Sequence, residues 1–131
     1  MVKIMIVDDD ETMVSLLKTL LEMDGFEVVS TSDWENIPAD VKESGANLLL
    51  MDCILPGIEG LDILAEIRRD KKFPKLRIIL SSGMDMEYRA MAAGADAFLP
   101  KPYTPDTLYE LITNLTGSSM TLNDPLNDKE N

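Results

Sequence analysis

The chain has 131 residues, 45% of them hydrophobic and 27% charged, which suits one globular domain with a proper core. Its formal net charge of −12 argues against direct nucleic-acid or anionic-membrane binding and favours basic surfaces or cations as partners. A single cysteine, Cys53, excludes an intramolecular disulfide and argues against a zinc site, and the absence of histidine excludes both a phosphohistidine and a histidine general base.

The opening run Val2 to Val7 is too short for a signal-peptide core, and no stretch approaches a membrane span, so a reducing cytoplasm is the expected compartment. Ile4 to Val7 reads as a first strand, stopped by Asp8-Asp9-Asp10. Met13, Leu16, Leu17, Leu20 and Leu21 then recur at helical spacing as far as Gly25, with Asp9 or Asp10 able to cap that helix. Phe26 to Val29 is a second strand ending near Thr31, and Asp33 to Ser44 reads as a helix that Pro38 interrupts. Leu48 to Met51 is a continuous apolar run into Asp52, with Leu55-Pro56-Gly57 soon after. That pattern is a strand buried on both faces. Gly60 to Asp70 is helical, with Leu61, Leu64 and Ile67 on one face. Leu76 to Leu80 is a fourth strand, stopped by Ser81-Ser82-Gly83. Asp85 to Ala93 is a short helix, and Asp96 to Leu99 a brief fifth strand broken by Pro100-Lys101-Pro102. Thr104 caps a last helix with Pro105 at its first position and Gly117 at its end. The expected division is one domain over 1–117 and a polar, aperiodic, disordered tail over 118–131.

Strict alternation of five strands and five helices implies a doubly wound parallel α/β sheet. Parallel strands place all their C-terminal ends on one edge, where ligands of open α/β sheets bind. That edge collects Asp8, Asp9 and Asp10, then Asp52, Ser82 and Lys101. Each has a mundane reading: a cap, a turn residue, a surface lysine. Two carboxylates about 4 Å apart repel by roughly 4 kcal/mol at an effective dielectric of about 20, so a cluster of them calls for a cation. With no imidazole and no thiolate cluster, oxygen ligands select a hard ion such as Mg2+. Lys101 adds a point charge and Ser82 a hydroxyl, making a phosphoryl site in which a carboxylate is the nucleophile.

Five motifs in order carry a family resemblance: Ile6-Val7-Asp8-Asp9, the stretch Leu50 to Gly57, Ile79 to Gly83, Gly94 to Leu99, and Lys101-Pro102. Over residues 2 to about 116 the chain resembles a response-regulator receiver domain of two-component signalling. The resemblance implies a flavodoxin-like (βα)5 sheet of strand order 2-1-3-4-5. It implies Asp52 as phosphoacceptor, Asp9 as a direct magnesium ligand, Asp8 acting largely through water, and the Ile54 carbonyl as a further ligand. It also implies Ser82, chosen over Ser81 because Gly83 follows, and Lys101 as the groups that read the phosphoryl group. Phe98 takes the place of the aromatic switch residue, and the Lys101–Pro102 bond is expected to be cis. Asp10 is read as a cap or a solvated charge.

The segment from Ser82 to Lys101 is about three residues shorter than is usual in the family, and Trp34 and Pro38 leave the second helix's geometry open. The expected partner is a histidine kinase or phosphotransfer protein. Output is expected through a protein partner on the face of the fourth helix, fifth strand and fifth helix, around Phe98 and Tyr103. The module is then not an enzyme in the ordinary sense, is monomeric or a weak phosphorylation-dependent dimer, and loses its phosphoryl group slowly because bulky Ile54 and Met84 flank the water approach. An alternative from another class is a haloacid-dehalogenase-like phosphatase with Asp8 as nucleophile. Asp8 to Thr12 fits its D-x-D-x-T pattern, although Asp52 and its Leu-Pro-Gly turn would then go unexplained.

Overall fold

Apolar runs that end in carboxylates or hydroxyls pair side by side to make the centre of the molecule. The computed structural model describes residues 1–70 and 75–117. In chain order the elements are β1 (Lys3–Val7), α1 (Glu11–Met23), β2 (Glu27–Ser30), a 3-10 turn (Trp34–Asn36), α2 (Ile37–Ser44), β3 (Leu48–Asp52), β4 (Ile54–Leu55), β5 (Ile58–Glu59), α3 (Gly60–Arg69), β6 (Arg77–Ser82), α4 (Glu87–Ala92), β7 (Ala97–Pro100) and α5 (Pro105–Thr116). Five strands form one parallel sheet in the order β2-β1-β3-β6-β7, which is 2-1-3-4-5 when only sheet strands are counted. The small β4-β5 pair is a separate antiparallel hairpin just beyond β3.

The period-two geometry of a strand divides the core into two layers. Leu49 and Met51 of β3 pack with Ile37, Val41, Leu64 and Ile67 from α2 and α3. Leu48 and Leu50 point the other way, onto Leu17 and Leu21 of α1 and Leu108 and Ile112 of α5. All five β3 residues are buried, the outcome expected for a central parallel strand. Each such Leu or Ile contributes roughly 1.5–3 kcal/mol by leaving water.

Asp10 caps α1 by accepting from the Met13 amide, and Thr104 caps α5 by accepting from Thr107. Several expectations change. Pro38 does not interrupt a helix; it lies in the first turn of α2, where its missing N–H costs nothing, and the 3-10 turn absorbs the irregularity before it. Leu16, expected on the buried face of α1, is 54% exposed, while Leu17 and Leu21 carry the packing. β6 runs through both serines instead of stopping at Leu80, because Ser81 and Ser82 keep strand pairing with β7. α4 is confined to six residues, one short of its expected end at Ala93 and two late at its start. The expected tail, 118–131, lies outside the described residues. Among the described residues, no helix is long and apolar enough to cross a membrane.

Candidate functional site

β3 delivers Asp52 to the strand-end edge as the last residue of a fully buried strand. The turn into β4 fixes its carboxylate, because there the Ile54 amide donates to Asp52 Oδ1 at 3.0 Å. Behind it, α3 begins at Gly60, whose amide donates to the Cys53 carbonyl at 2.6 Å. A side chain at Gly60 would collide with the Asp52 carbonyl and stand 2.9 Å from Cys53 Cα. Gly60 is therefore what lets the helix seat against the end of β3. In the sequence Gly60 reads only as a helix start; its signal is a glycine opening an apolar helical run soon after the Pro-Gly turn.

β1 delivers Asp8 in the same manner. One Asp8 oxygen accepts from the Asp10 amide at 3.0 Å, and Asp8 is buried although charged. Asp9 is exposed at the mouth. Ligand oxygens of Asp8, Asp9 and Asp52 lie within 4.8 Å of one another. From the far side, Lys101, directly after β7, reaches both buried carboxylates. Its Nζ donates to Asp8 Oδ2 at 2.8 Å and to Asp52 Oδ2 at 2.9 Å. Burial pulls the Lys101 ammonium toward losing its proton, but hydrogen bonds to Asp8 and Asp52 and their charges outweigh it and hold the pKa above the ordinary lysine value. The Lys101–Pro102 bond is cis, as expected.

Three carboxylates against one ammonium leave two negative charges at the mouth. The donor set is hard oxygen throughout, and the chain has no histidine to compete. Cys53, next to Asp52, is fully buried; burial first, and then the Asp52 charge, push its thiol up to about 11, so it offers no thiolate at neutral pH. These residues fit a hard divalent cation.

The two serines at the end of β6 differ. Ser81 Oγ donates to the Leu99 carbonyl at 2.7 Å and is committed to the sheet. Ser82 Oγ accepts from the Met84 amide at 3.0 Å, which leaves its own proton uncommitted among the described contacts. Ile54 sits in the β4-β5 hairpin with its side chain half exposed. Phe98 is not brought into the carboxylate cluster. It lies on β7 opposite Leu80, partly buried against the α3 and α4 side of the core. Tyr103, two residues past Lys101, is half-buried, and its hydroxyl reaches Met13 Sδ of α1 at 3.8 Å. Burial and then the Asp8 charge push its phenol up to about 12.

A family model described as a response regulator receiver domain matches residues 4–113. The transcriptional regulatory protein CpxR of Escherichia coli is 38% identical over 102 residues, covering 77% of this chain and 43% of that protein. A response regulator receiver domain protein from Clostridium thermocellum superposes with a TM-score of 0.79 at 30% identity, covering 89% of this chain and 95% of that one. The receiver domain of a sensor histidine kinase from Pseudomonas aeruginosa, solved with a magnesium ion coordinated in its active-site cleft, superposes at a TM-score of 0.78 with 23% identity, covering 88% and 98%. The chain spans less than half the length of the curated relatives it matches.

Proposed function

Since the chain belongs to the response regulator receiver domain family, we propose that it accepts a phosphoryl group on Asp52 from a partner histidine kinase or phosphotransfer protein and passes the signal on through protein contact. The observation that carries this reading is the Lys101 ammonium held between the buried Asp8 and Asp52 carboxylates, with Asp9 open beside them.

Asp52 supplies the nucleophile. One of its oxygens bonds to the phosphorus as the donor's phosphorus–nitrogen bond breaks, and the imidazole of the partner leaves. The Ile54 amide and Gly60 hold the carboxylate in place during that attack. Asp8, Asp9, Asp52 and the Ile54 carbonyl are the groups that would hold Mg2+, which when bound neutralises charge on the phosphoryl oxygens. Lys101 already touches Asp52 and can transfer one hydrogen bond to a phosphoryl oxygen without leaving its place. The Ser82 hydroxyl, on the residue whose carbonyl accepts from the Lys101 amide at 2.9 Å, is the second reader of the phosphoryl group. Its engagement would draw on the Gly83–Met84 connection into α4, with Phe98, on β7 opposite Leu80, as the switch. Exposed Tyr88 and Met91 of α4 give the output face apolar contact area.

The phosphatase alternative finds no support. The family match accounts for Asp52, which that alternative leaves idle. Labelling with a small-molecule phosphodonor tests the assignment. One phosphoryl group on Asp52, dependent on a divalent cation and abolished in Asp52→Asn, is the expected result; a phosphoryl group found on Asp8 would overturn it.

A further inference from the structure

Every oxygen of the two buried carboxylates already has a partner. Asp8 Oδ1 accepts from the Asp10 amide and Asp52 Oδ1 from the Ile54 amide, both at 3.0 Å. The other oxygen of each, Oδ2, accepts from one and the same Lys101 ammonium, at 2.8 Å on Asp8 and 2.9 Å on Asp52. The two kinds of partner differ. A backbone amide is neutral, is fixed by the turn it belongs to, and uses one lone pair of an oxygen that has two. The ammonium carries a full charge on a flexible four-carbon stem. Among the described residues the Asp9 carboxylate has no hydrogen-bond or ion-pair partner, and it alone of the three is exposed.

A hard cation and the ammonium therefore want the same oxygens. A magnesium ion stands about 2.1 Å from a ligand oxygen, so an ion on either Oδ2 would lie no more than about 5 Å from Lys101 Nζ. Water screens that distance poorly, because the Asp8 and Asp52 side chains are only 5% and 11% exposed. The amide-bonded oxygens keep a lone pair for a metal, and Asp9 keeps all of its own. Nothing but the lysine charge stands against the ion.

Building on the reading of Asp8, Asp9 and Asp52 as magnesium ligands, we propose that Lys101 is a built-in competitor of the metal. Its ammonium holds the Asp8 and Asp52 oxygens together and keeps metal affinity low. Metal entry displaces it from Asp52 and frees it for an incoming phosphoryl oxygen. The coupling is reciprocal: whatever Lys101 gains by bonding the two carboxylates, the metal loses in affinity. The order of events follows, with the metal preceding the phosphodonor.

The test is a Mg2+ titration of the full chain, followed by the backbone amide and Lys101 Cε–Hε magnetic resonance signals, with no phosphodonor present. In the unaltered protein the Lys101 signal should shift in step with the Asp52 and Ile54 amides. Lys101→Gln should bind Mg2+ at least about tenfold more tightly. Lys101→Arg, which keeps the charge, should stay within about threefold of the unaltered protein. Equal or weaker affinity in Lys101→Gln would overturn the proposal. So would a Lys101 signal that stays still while the Asp52 amide shifts, a result that needs no variant to fold, or a Lys101→Arg variant that tightens as much as Lys101→Gln. Asp9→Asn separates the two levels of the reading. It should weaken binding in either background, and affinity untouched by it would overturn the magnesium site itself and the competition with it.

Discussion

Both ends of the sheet hold an aspartate–cation cluster, and the two are built from different cations. At the strand-end edge, Lys101 bridges Asp8 and Asp52 with one ammonium. At the strand-start edge, Arg68 spreads three nitrogens over three acceptors: Nε to the Gly94 carbonyl at 2.8 Å, one terminal nitrogen to the Leu76 carbonyl at 2.8 Å, and the other to Asp96 at 2.7 Å. The same Asp96 oxygen accepts from the Ile78 amide. The guanidinium thus ties α3, the start of β6, the end of α4 and the start of β7 together, and cannot move without stranding two backbone carbonyls. The ammonium is a point charge that can exchange one oxygen for another at little cost. One end of the fold is fastened while the other is exchangeable, which suits a domain whose chemistry lies at one edge only.

Charge-conserving swaps break this comparison most directly. Lys101→Arg puts a rigid fork where a point charge is needed, and phosphoryl acceptance should fall at least about tenfold, or about 1.4 kcal/mol of transition-state stabilisation. Stability by urea unfolding should change less, because the positive charge between the carboxylates remains. The raised Lys101 pKa sets the sign of any pH effect. Stability from the paired ammonium is fully present below the ordinary lysine value of about 10.4 and is lost only as pH rises through the higher folded value. The deficit of Lys101→Arg should therefore stay flat between about pH 6 and pH 9. A deficit that vanishes within that window would mean that fork and point charge are equivalent at this site.

The reverse swap, Arg68→Lys, probes the fastened end. A lysine cannot meet the Gly94 and Leu76 carbonyls and Asp96 together, so unfolding should require about 1 kcal/mol less. The Arg68 side chain is only a quarter exposed, so water replaces the lost bonds poorly. Phosphoryl acceptance, at the opposite edge, should stay within about twofold of wild type. A large loss of acceptance with no loss of stability would reverse the roles assigned to the two ends.

These ends were unequally legible in the sequence. The exchangeable end was readable because each of its residues closes an apolar run: Asp8 after Ile4 to Val7, Asp52 after Leu48 to Met51, Lys101 after Ala97 to Pro100. Period and burial brought them to one edge before any geometry was known. The fastened end was not readable. Arg68 looks like any cation in the last turn of a helix, and its partner Asp96 is 28 residues away. Nothing local marks a pairing that three-dimensional packing alone creates. Gly60 was hidden for a similar reason, since its constraint is the backbone of Asp52 and Cys53 rather than its own neighbours. Pro38 misled because a proline within a weakly apolar segment reads equally as a break or as a first turn.

The smallest expected effect concerns how long the exchangeable end keeps its phosphoryl group. Hydrolysis of an acyl phosphate needs a water in line with the phosphorus. Ile54 and Met84 are each bonded through their backbone amides to a group of the site, Asp52 and Ser82, so both residues lie next to it in the chain's path. They are 50% and 62% exposed, bulky and unable to orient water by hydrogen bonding. The chain has no histidine to act as general base. A polar pair there, Ile54→Asn with Met84→Glu, would bring water into position but supply no strong base. Phosphoryl loss should therefore accelerate only about two- to fivefold, under about 1 kcal/mol. Arg68→Lys is the control, because loosening the fastened end leaves both residues and both amide contacts untouched and should leave the lifetime unchanged. If the polar pair holds its phosphoryl group as long as wild type does, these two residues do not govern water access. If Arg68→Lys shortens the lifetime as much as the polar pair, the two ends are coupled through β6, and the fastened end helps to set the geometry of Ser82.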